Sequence, residues 1–100
     1  YGVVSAAKAA LEAHCRQLAY ELLPYGITAN SICAGVTDTP ALKKIPGADK
    51  LKAKSLEKSP IGRLTYPDDV GGAVAALCDP RLHWMTANVL GIHGGEPFIG

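Results

Sequence analysis

The sequence predicts an α/β fold, the C-terminal portion of a doubly wound parallel sheet. Two short strand-like segments, at residues 27–32 and 89–93, flank a second helical segment, and a long helical segment precedes them all. Two parallel strands joined by a helical crossover are the building unit of such sheets. Because two strands alone make a poor sheet, we expect residues 1–100 to be part of one larger domain whose N-terminal half is absent.

The first helix is predicted at residues 2–23 from its periodicity. Apolar residues and one histidine recur every three or four positions, which places them on one helical stripe. Pro24 and Gly26 are expected to end the helix. We interpret His14 as a core or interface histidine. The stripe consists of Val4, Ala7, Leu11, His14, Leu18 and Leu22.

Tyr1 and Lys8 stand seven positions apart at the head of this helix. Seven helical steps return a side chain to within about 20° of its starting direction, so the two share a face, with Ser5 between them. A nearby ammonium favours loss of the phenol's proton. Tyr1 is therefore a candidate proton donor, and Lys8 is the partner whose charge assists it.

A loop rich in glycine and hydroxyl groups follows the first strand, at residues 33–40. Ligands of open α/β sheets bind at the carboxyl ends of strands. Gly35 would let the backbone approach a ligand, and Thr37, Asp38 and Thr39 offer donors and acceptors. The alternative is a loop that only caps the next helix.

Residues 40–58 are predicted to form a lid over a substrate site. They carry six of the ten basic residues, opposed by Asp49 and Glu57, and Pro46-Gly47 divides them into two short helical pieces. A long interrupted excursion after a ligand loop is typical of a lid. The alternative is an ordinary solvated lysine face. The lysines are Lys43, Lys44, Lys50, Lys52, Lys54 and Lys58.

A second helix is predicted at residues 65–78. Thr65 would cap it with its hydroxyl, and Asp68 would be the acid three residues on. Gly71-Gly72 is expected to allow close packing. A strand follows at 89–93, and the apolar tail with Phe98 and Ile99 is expected to pack on the body or on another subunit.

Composition limits the function classes. The net charge of +1 gives no general attraction for nucleic acid or membrane surfaces, and no apolar run reaches the length of a membrane span. Cys15, Cys33 and Cys78 match no metal or disulfide spacing, which favours reduced thiols in a cytoplasmic protein, with a reactive Cys33 as the alternative. No metal site is predicted.

Several motifs, in order, resemble the C-terminal part of short-chain dehydrogenases/reductases, which are Rossmann-like enzymes. The match covers nearly all of the chain. The family usually has an acid at the position of His93 and glycine at that of Ala87. The motifs lie at residues 5–11, 26–32, 34–39, 60–63, 67–70 and 86–95.

Most of that family has its catalytic tyrosine four residues before the lysine, where this chain has Val4. Tyr1, with six residues between it and Lys8, resembles the enoyl-acyl-carrier-protein reductase branch. The resemblance implies NADPH or NADH as cofactor, with NADPH slightly preferred. It also implies an acyl thioester substrate on acyl carrier protein or coenzyme A, and a homo-oligomer, a dimer or tetramer.

The same resemblance implies roles for individual residues. Tyr1 would be the acid, and Lys8 would hold the nicotinamide ribose. The cofactor would be contacted by Gly35, Val36, Thr37 and Thr39. The substrate would be contacted at the lid by Ala41, Leu42 and Ile45, and the carrier protein by Lys43 and Lys44.

The wider spacing has a physical rationale. A ketone accepts hydride at the carbon that bears the oxygen to be protonated, whereas an enoyl thioester accepts it at Cβ, three bonds from its carbonyl oxygen. The acid must then lie farther from the hydride donor. Moving tyrosine three residues along a helix shifts it by about 4.5 Å.

We therefore expect NAD(P)H-dependent reduction of the 2,3 double bond of an enoyl thioester in fatty acid synthesis. The alternative in the same family is a 3-oxoacyl or alcohol dehydrogenase. An alternative of another class is a truncated, non-catalytic dimerisation module. The isolated 100 residues are expected to be inactive.

Overall fold

The computed structural model of the protein describes residues 2–96, so Tyr1, Phe98 and Ile99 lie outside the described part. Two single turns of 3-10 helix, Leu23–Tyr25 and Pro80–Leu82, accompany the main elements. The elements are helix α1 (Gly2–Leu22), strand β1 (Ser31–Ala34), helices α2 (Pro40–Lys43), α3 (Ala48–Lys58) and α4 (Pro67–Leu77), and strand β2 (Val89–Ile92).

The strands β1 and β2 pair in a two-stranded sheet. Ser31 N donates to Asn88 O over 2.8 Å, and Gly35 N donates to Ile92 O over 3.0 Å. The partner numbers rise together along both strands, as in a parallel ladder. The predicted α/β fold with a parallel sheet is confirmed.

The chain divides into two compact units, and each strand contributes its first half to one unit and its second half to the other. Unit one contains Tyr1–Ile32 and Leu77–Leu90, and unit two contains Cys33–Ala76 and Gly91–Gly100. Unit one therefore holds α1. Unit two holds α2 and α3, nearly all of α4 and the glycine-containing loop.

Helix α1 ends as the sequence predicts. Pro24 is the second residue of the 3-10 turn that follows, and Gly26 adopts a left-handed conformation with φ 74°, donating its N–H to Leu23 O. A residue without Cβ accepts this conformation at no steric cost. Of the predicted stripe, Leu11 and Leu18 line a cleft against residues 28–32, and His14 is exposed rather than buried in a core.

The first strand begins later than predicted, at Ser31 instead of residue 27. The segment opposite residues 27–30 is a turn, in which Ala87 has a φ of 64°. This bend interrupts the regular ladder but keeps one backbone bond, from Ala87 N to Ala29 O over 2.8 Å, and side chains supply further bonds. Ala29 N donates to Thr86 Oγ1 over 3.0 Å, and Asn30 Nδ2 donates to Met85 O over 3.0 Å.

In unit two, the predicted break at Pro46-Gly47 is confirmed. Helix α2 ends at Lys43, α3 begins at Ala48, and Gly47 between them has a left-handed φ of 78°. Leu42 is buried, which anchors the short α2.

The start of α4 corrects the predicted cap. Helix α4 begins at Pro67, so Tyr66 and not Thr65 directly precedes it, and Thr65 is buried and forms a backbone bridge with Thr37. Asp69, not Asp68, accepts the N–H of Tyr66 over 2.7 Å. Among residues 2–96, no atom lies within 4 Å of a Cβ placed on Gly71 or Gly72, so the described part of the chain does not supply the predicted close packing.

The hydrophobic burial within the described residues is small. Buried apolar side chains are Ala19, Leu42 and Leu64. Of the helices between residues 2 and 96, none combines the length and hydrophobicity that a bilayer crossing requires.

Candidate active site

Lys8 lies in the second turn of α1, in unit one, and its side chain is exposed. Its predicted partner Tyr1 is outside the described residues, so the Tyr1–Lys8 pair stays a prediction. Helix α1 is continuous from Gly2 to Leu22, so the helical spacing assumed for Lys8 applies to residues 2–8.

The candidate cofactor loop follows the carboxyl end of β1 in unit two. Thr37 Oγ1 donates to Gly35 O over 2.9 Å, which folds the loop on itself. Thr39 Oγ1 accepts the N–H of Leu42 over 3.3 Å and so caps α2. The loop therefore caps the next helix, as one interpretation predicted, while the ligand contacts of the other interpretation stay a prediction.

Gly35 sits where a side chain would collide with the protein itself. A Cβ at this position would meet Thr65 Oγ1 and would lie 3.0 Å from Glu96 Oε2 and 3.1 Å from His93 Cβ. The sequence interpretation gave this glycine a role in approach to a ligand. The structure shows a close approach of three of the protein's own side chains.

The predicted lid leaves and rejoins the loop at one point. Thr37 and Thr65 form a parallel bridge, and Thr65 N donates to Val36 O over 3.2 Å. The segment between Thr39 and Thr65 thus has paired ends. The two ends of this segment are therefore close together, as in other compact surface loops.

Helix α3 makes two side-chain contacts with residues outside the segment between Thr39 and Thr65. Lys52 Nζ lies 3.4 Å from Asp38 Oδ2. The buried Ser55 donates its hydroxyl to Glu96 Oε1 over 2.9 Å. Sequence reasoning missed Ser55 and Glu96, because they are 41 residues apart and no local pattern links them.

The lid residues named from the sequence have different environments. Ala41, Lys43 and Lys44 are exposed, Ile45 is half-buried and Leu42 is buried. A groove between the end of α2 and the start of α3 brings together Lys43, Lys50 and Lys52 and also contains Asp49. Lys44 does not line this groove.

An ion pair fixes the segment that returns from the lid to α4. Arg63 donates two bonds to the Asp69 carboxylate, over 2.7 and 3.2 Å, and its guanidinium lies 4.3 Å from the ring centre of Tyr66. The bonds from Arg63, with the backbone N–H of Tyr66, hold the pKa of Asp69 below its ordinary value. Asp69 in turn raises the pKa of Arg63. The motifs at residues 60–63 and 67–70 were recognised in the sequence, but the ion pair between Arg63 and Asp69 was not predicted from them.

Among residues 2–96, no cluster of three or more histidine, cysteine or acidic side chains is arranged to hold a metal ion. Cys15, Cys33 and Cys78 form no disulfide bond, and Cys33 is exposed.

The parallel sheet, with a glycine-containing loop at the carboxyl end of its strand, places the chain in the Rossmann-like α/β class. A solved structure of this class, the enoyl-acyl-carrier-protein reductase (NADH) of Aquifex aeolicus, matches with a TM-score of 0.88 and 33% identity. The match covers 98% of this chain and 38% of that one. A family model described as "Enoyl-(Acyl carrier protein) reductase" matches residues 1–96. The chain belongs to this family of short-chain dehydrogenases/reductases, which are oxidoreductases.

Curated relatives of similar identity carry different activities in their names. The peroxisomal 2,4-dienoyl-CoA reductase of Saccharomyces cerevisiae is 38% identical over 99% of this chain. The Aquifex aeolicus enoyl-acyl-carrier-protein reductase (NADH) is 33% identical over 100% of it, and the 7alpha-hydroxysteroid dehydrogenase of Escherichia coli is 33% identical over 91%. The chain spans 34%, 37% and 35% of these relatives, about a third of each. Family membership therefore does not select the substrate.

Proposed function

We propose that the protein is an NADPH- or NADH-dependent reductase of the 2,3 double bond of enoyl thioesters, acting in fatty acid synthesis. The observation that carries the proposal is the spacing of seven between Tyr1 and Lys8 in the sequence, with Lys8 on helix α1. This spacing suits a carbonyl oxygen that lies away from the carbon receiving hydride.

The relatives support a thioester substrate. Two of them have acyl carrier protein or coenzyme A in their names, and one names NADH. On this basis we propose an acyl group carried by acyl carrier protein or coenzyme A as substrate. A homodimer or homotetramer is our proposal for the assembled protein.

The residues present fit a nicotinamide nucleotide. An exposed ammonium at Lys8 and a loop at the carboxyl end of a parallel strand are the kinds of group that contact such a cofactor. In the proposal, Lys8 holds the ribose, and Gly35, Val36, Thr37 and Thr39 line the nicotinamide end. A nicotinamide nucleotide held there would supply the hydride that the substrate accepts at Cβ.

The remaining chemistry belongs to Tyr1 and Lys8. The phenol of Tyr1 hydrogen-bonds to the thioester oxygen and stabilises the negative charge that develops there as the enolate forms. Lys8 favours release of the phenol's proton through its positive charge. Tyr1 passes its proton to the enolate oxygen, the resulting enol tautomerises to the saturated thioester with a proton on Cα, and solvent returns a proton to Tyr1.

The proposal is tested by assaying the full-length protein with crotonyl and acetoacetyl thioesters. We expect the crotonyl substrate to be preferred, and Tyr1→Phe to lower kcat/KM for it by about 10²–10³, the usual effect of removing one donor to a developing oxyanion. Tyr20→Phe, an exposed tyrosine on the same helix, is the matched control. Preference for the acetoacetyl substrate would contradict the proposal.

That opposite preference would favour the second candidate, a 3-oxoacyl or alcohol dehydrogenase. The 33% identity to a hydroxysteroid dehydrogenase is the observation in its favour. If the full-length protein bound no nicotinamide nucleotide, both catalytic candidates would fail and a non-catalytic interaction module would be favoured.

A further inference from the structure

We propose that Ser55 and Glu96 are positioning residues that fasten the lid helix α3 to the candidate cofactor loop. The identity of the ligand rests on the proposed function. The fastening itself rests on contacts within unit two.

The first contact is the hydrogen bond from Ser55 to Glu96. Ser55 is only 3% exposed, and its hydroxyl donates to Glu96 Oε1 over 2.9 Å. A buried hydroxyl that donates to a carboxylate makes a stronger bond than one between two neutral groups. Losing either partner leaves the other poorly satisfied.

The second contact joins Glu96 to the loop. The other carboxylate oxygen, Oε2, lies 3.0 Å from the position that a Cβ on Gly35 would occupy. One oxygen of Glu96 therefore engages the lid helix while the other lies against the loop backbone. Together with Thr65 Oγ1, this carboxylate oxygen occupies the space beside Gly35, so the position of Glu96 and that of the loop are coupled by packing.

The third contact is the ion pair between Lys52 and Asp38, which neighbours Thr37 and Thr39 in the loop. Lys52 and Ser55 are three residues apart and so share one face of α3. Both fastenings thus act on the same side of the helix. The ion pair is the weaker one, because the side chains are 29% and 50% exposed and water screens them.

These contacts give Ser55 and Glu96 a defined consequence. With the bond present, α3 holds Gly35 and its neighbours in the geometry observed. Without it, the loop samples other geometries and binds a nicotinamide nucleotide less tightly, since only the competent fraction binds.

The test measures the dissociation constants of NADH and NADPH for the full-length protein by fluorescence, without acyl substrate. We expect Ser55→Ala and Glu96→Ala each to raise the constant for the preferred nucleotide about tenfold. The double variant should add little to either single change. Glu96→Gln, which retains an acceptor oxygen, should recover most of the affinity, and Glu57→Ala removes an exposed carboxylate of α3 as the matched control.

Two further readouts separate positioning from a general loss of structure. Amides of residues 36–38 should exchange hydrogen faster in Ser55→Ala than in Glu57→Ala, at equal melting temperature or after correction for global unfolding. In steady state, KM for the nucleotide should rise while kcat changes little. Unchanged nucleotide affinity and unchanged loop exchange would overturn the proposal.

Failure of the proposed function would look different. If the unaltered protein bound neither nucleotide, the assignment of the ligand would fall. Amide hydrogen exchange at residues 36–38 would still test whether Ser55 and Glu96 position the loop. Faster exchange in Ser55→Ala would support that role, and exchange equal to that of Glu57→Ala would contradict it.

Discussion

Gly35 is a position where one added methyl group should be costly. Its Cβ would meet Thr65 Oγ1 and would press on Glu96 and His93. We expect Gly35→Ala to lower the free energy of unfolding by about 1–3 kcal/mol, as overpacking commonly does. Urea unfolding of the two proteins measures the difference.

The matched control is Gly71→Ala in α4, where none of the described residues, 2–96, comes within 4 Å of the new Cβ. Alanine should stabilise that helix by about 0.5–1 kcal/mol, because it has less backbone freedom to lose and a better helix propensity. Equal effects of the two substitutions would contradict the assigned environment of Gly35.

Ala87 presents the reverse case, a side chain where glycine fits better. Its φ of 64° lies in the left-handed region, which costs an ordinary L-residue about 1–2 kcal/mol. We expect Ala87→Gly to raise the free energy of unfolding by about 1 kcal/mol in urea titration. Ala87, at a position where the family usually has glycine, is therefore locally strained.

The control for this substitution has the opposite sign. Ala13→Gly places glycine at an exposed position of α1, where it should destabilise by about 1 kcal/mol. A loss of stability in Ala87→Gly as well would mean that the turn at residues 85–88 does not constrain this residue as described.

At the scale of elements, the Arg63–Asp69 pair should make the start of α4 sensitive to acid. Arg63 and the Tyr66 N–H keep the pKa of Asp69 below its ordinary value of 3.8. A carboxyl group with a depressed pKa in the folded state contributes stability above its unfolded pKa, and this is lost as pH falls through the folded pKa.

We therefore expect Asp69→Asn to be less stable than the unaltered protein at pH 7, with the gap narrowing below about pH 4. Asparagine can still accept the Tyr66 N–H, so the variant mainly removes charge. Urea midpoints at pH 7 and pH 3 give the comparison, with Asp68→Asn in the same helical turn as control. A gap that stays constant with pH would exclude the ion pair as its cause.

The elements themselves were predictable to different degrees. Helix α1, the break at Pro46-Gly47 and the body of α4 follow from periodicity and from the conformational limits of proline and glycine. The start of β1 could not be predicted from local patterns, because it depends on the turn at Ala87 in the segment that lies opposite. The α4 cap differs by one residue from the prediction, because the helix begins at Pro67 and Asp69, three residues after Tyr66, accepts the Tyr66 N–H.

At the scale of the whole molecule, the lysines of the lid should govern encounter with charged substrates. Lys43 and Lys44 are exposed, and Lys43 lines a groove with Lys50 and Lys52. We expect Lys43→Glu with Lys44→Glu to raise the KM for crotonyl-acyl-carrier protein about tenfold at low salt, since acyl carrier proteins are acidic. The effect should shrink at high salt through screening.

An uncharged crotonyl thioester serves as the control substrate in the same assay. Its KM should change little between the unaltered and the charge-reversed protein. Equal KM values for the carrier-bound substrate at low salt would contradict a role of these lysines in carrier recognition and favour an ordinary solvated surface.

The helices, the α/β class, the family and the candidate residues Lys8 and 35–39 could be predicted from the chain, because they depend on local periodicity and on motifs of neighbouring residues. The start of β1, the crowding around Gly35, the Arg63–Asp69 pair and the bond between Ser55 and Glu96 became visible only in the folded protein. These features depend on contacts that no local pattern in the sequence encodes. Ser55 and Glu96 meet across 41 residues, and only the folded backbone brings such groups together.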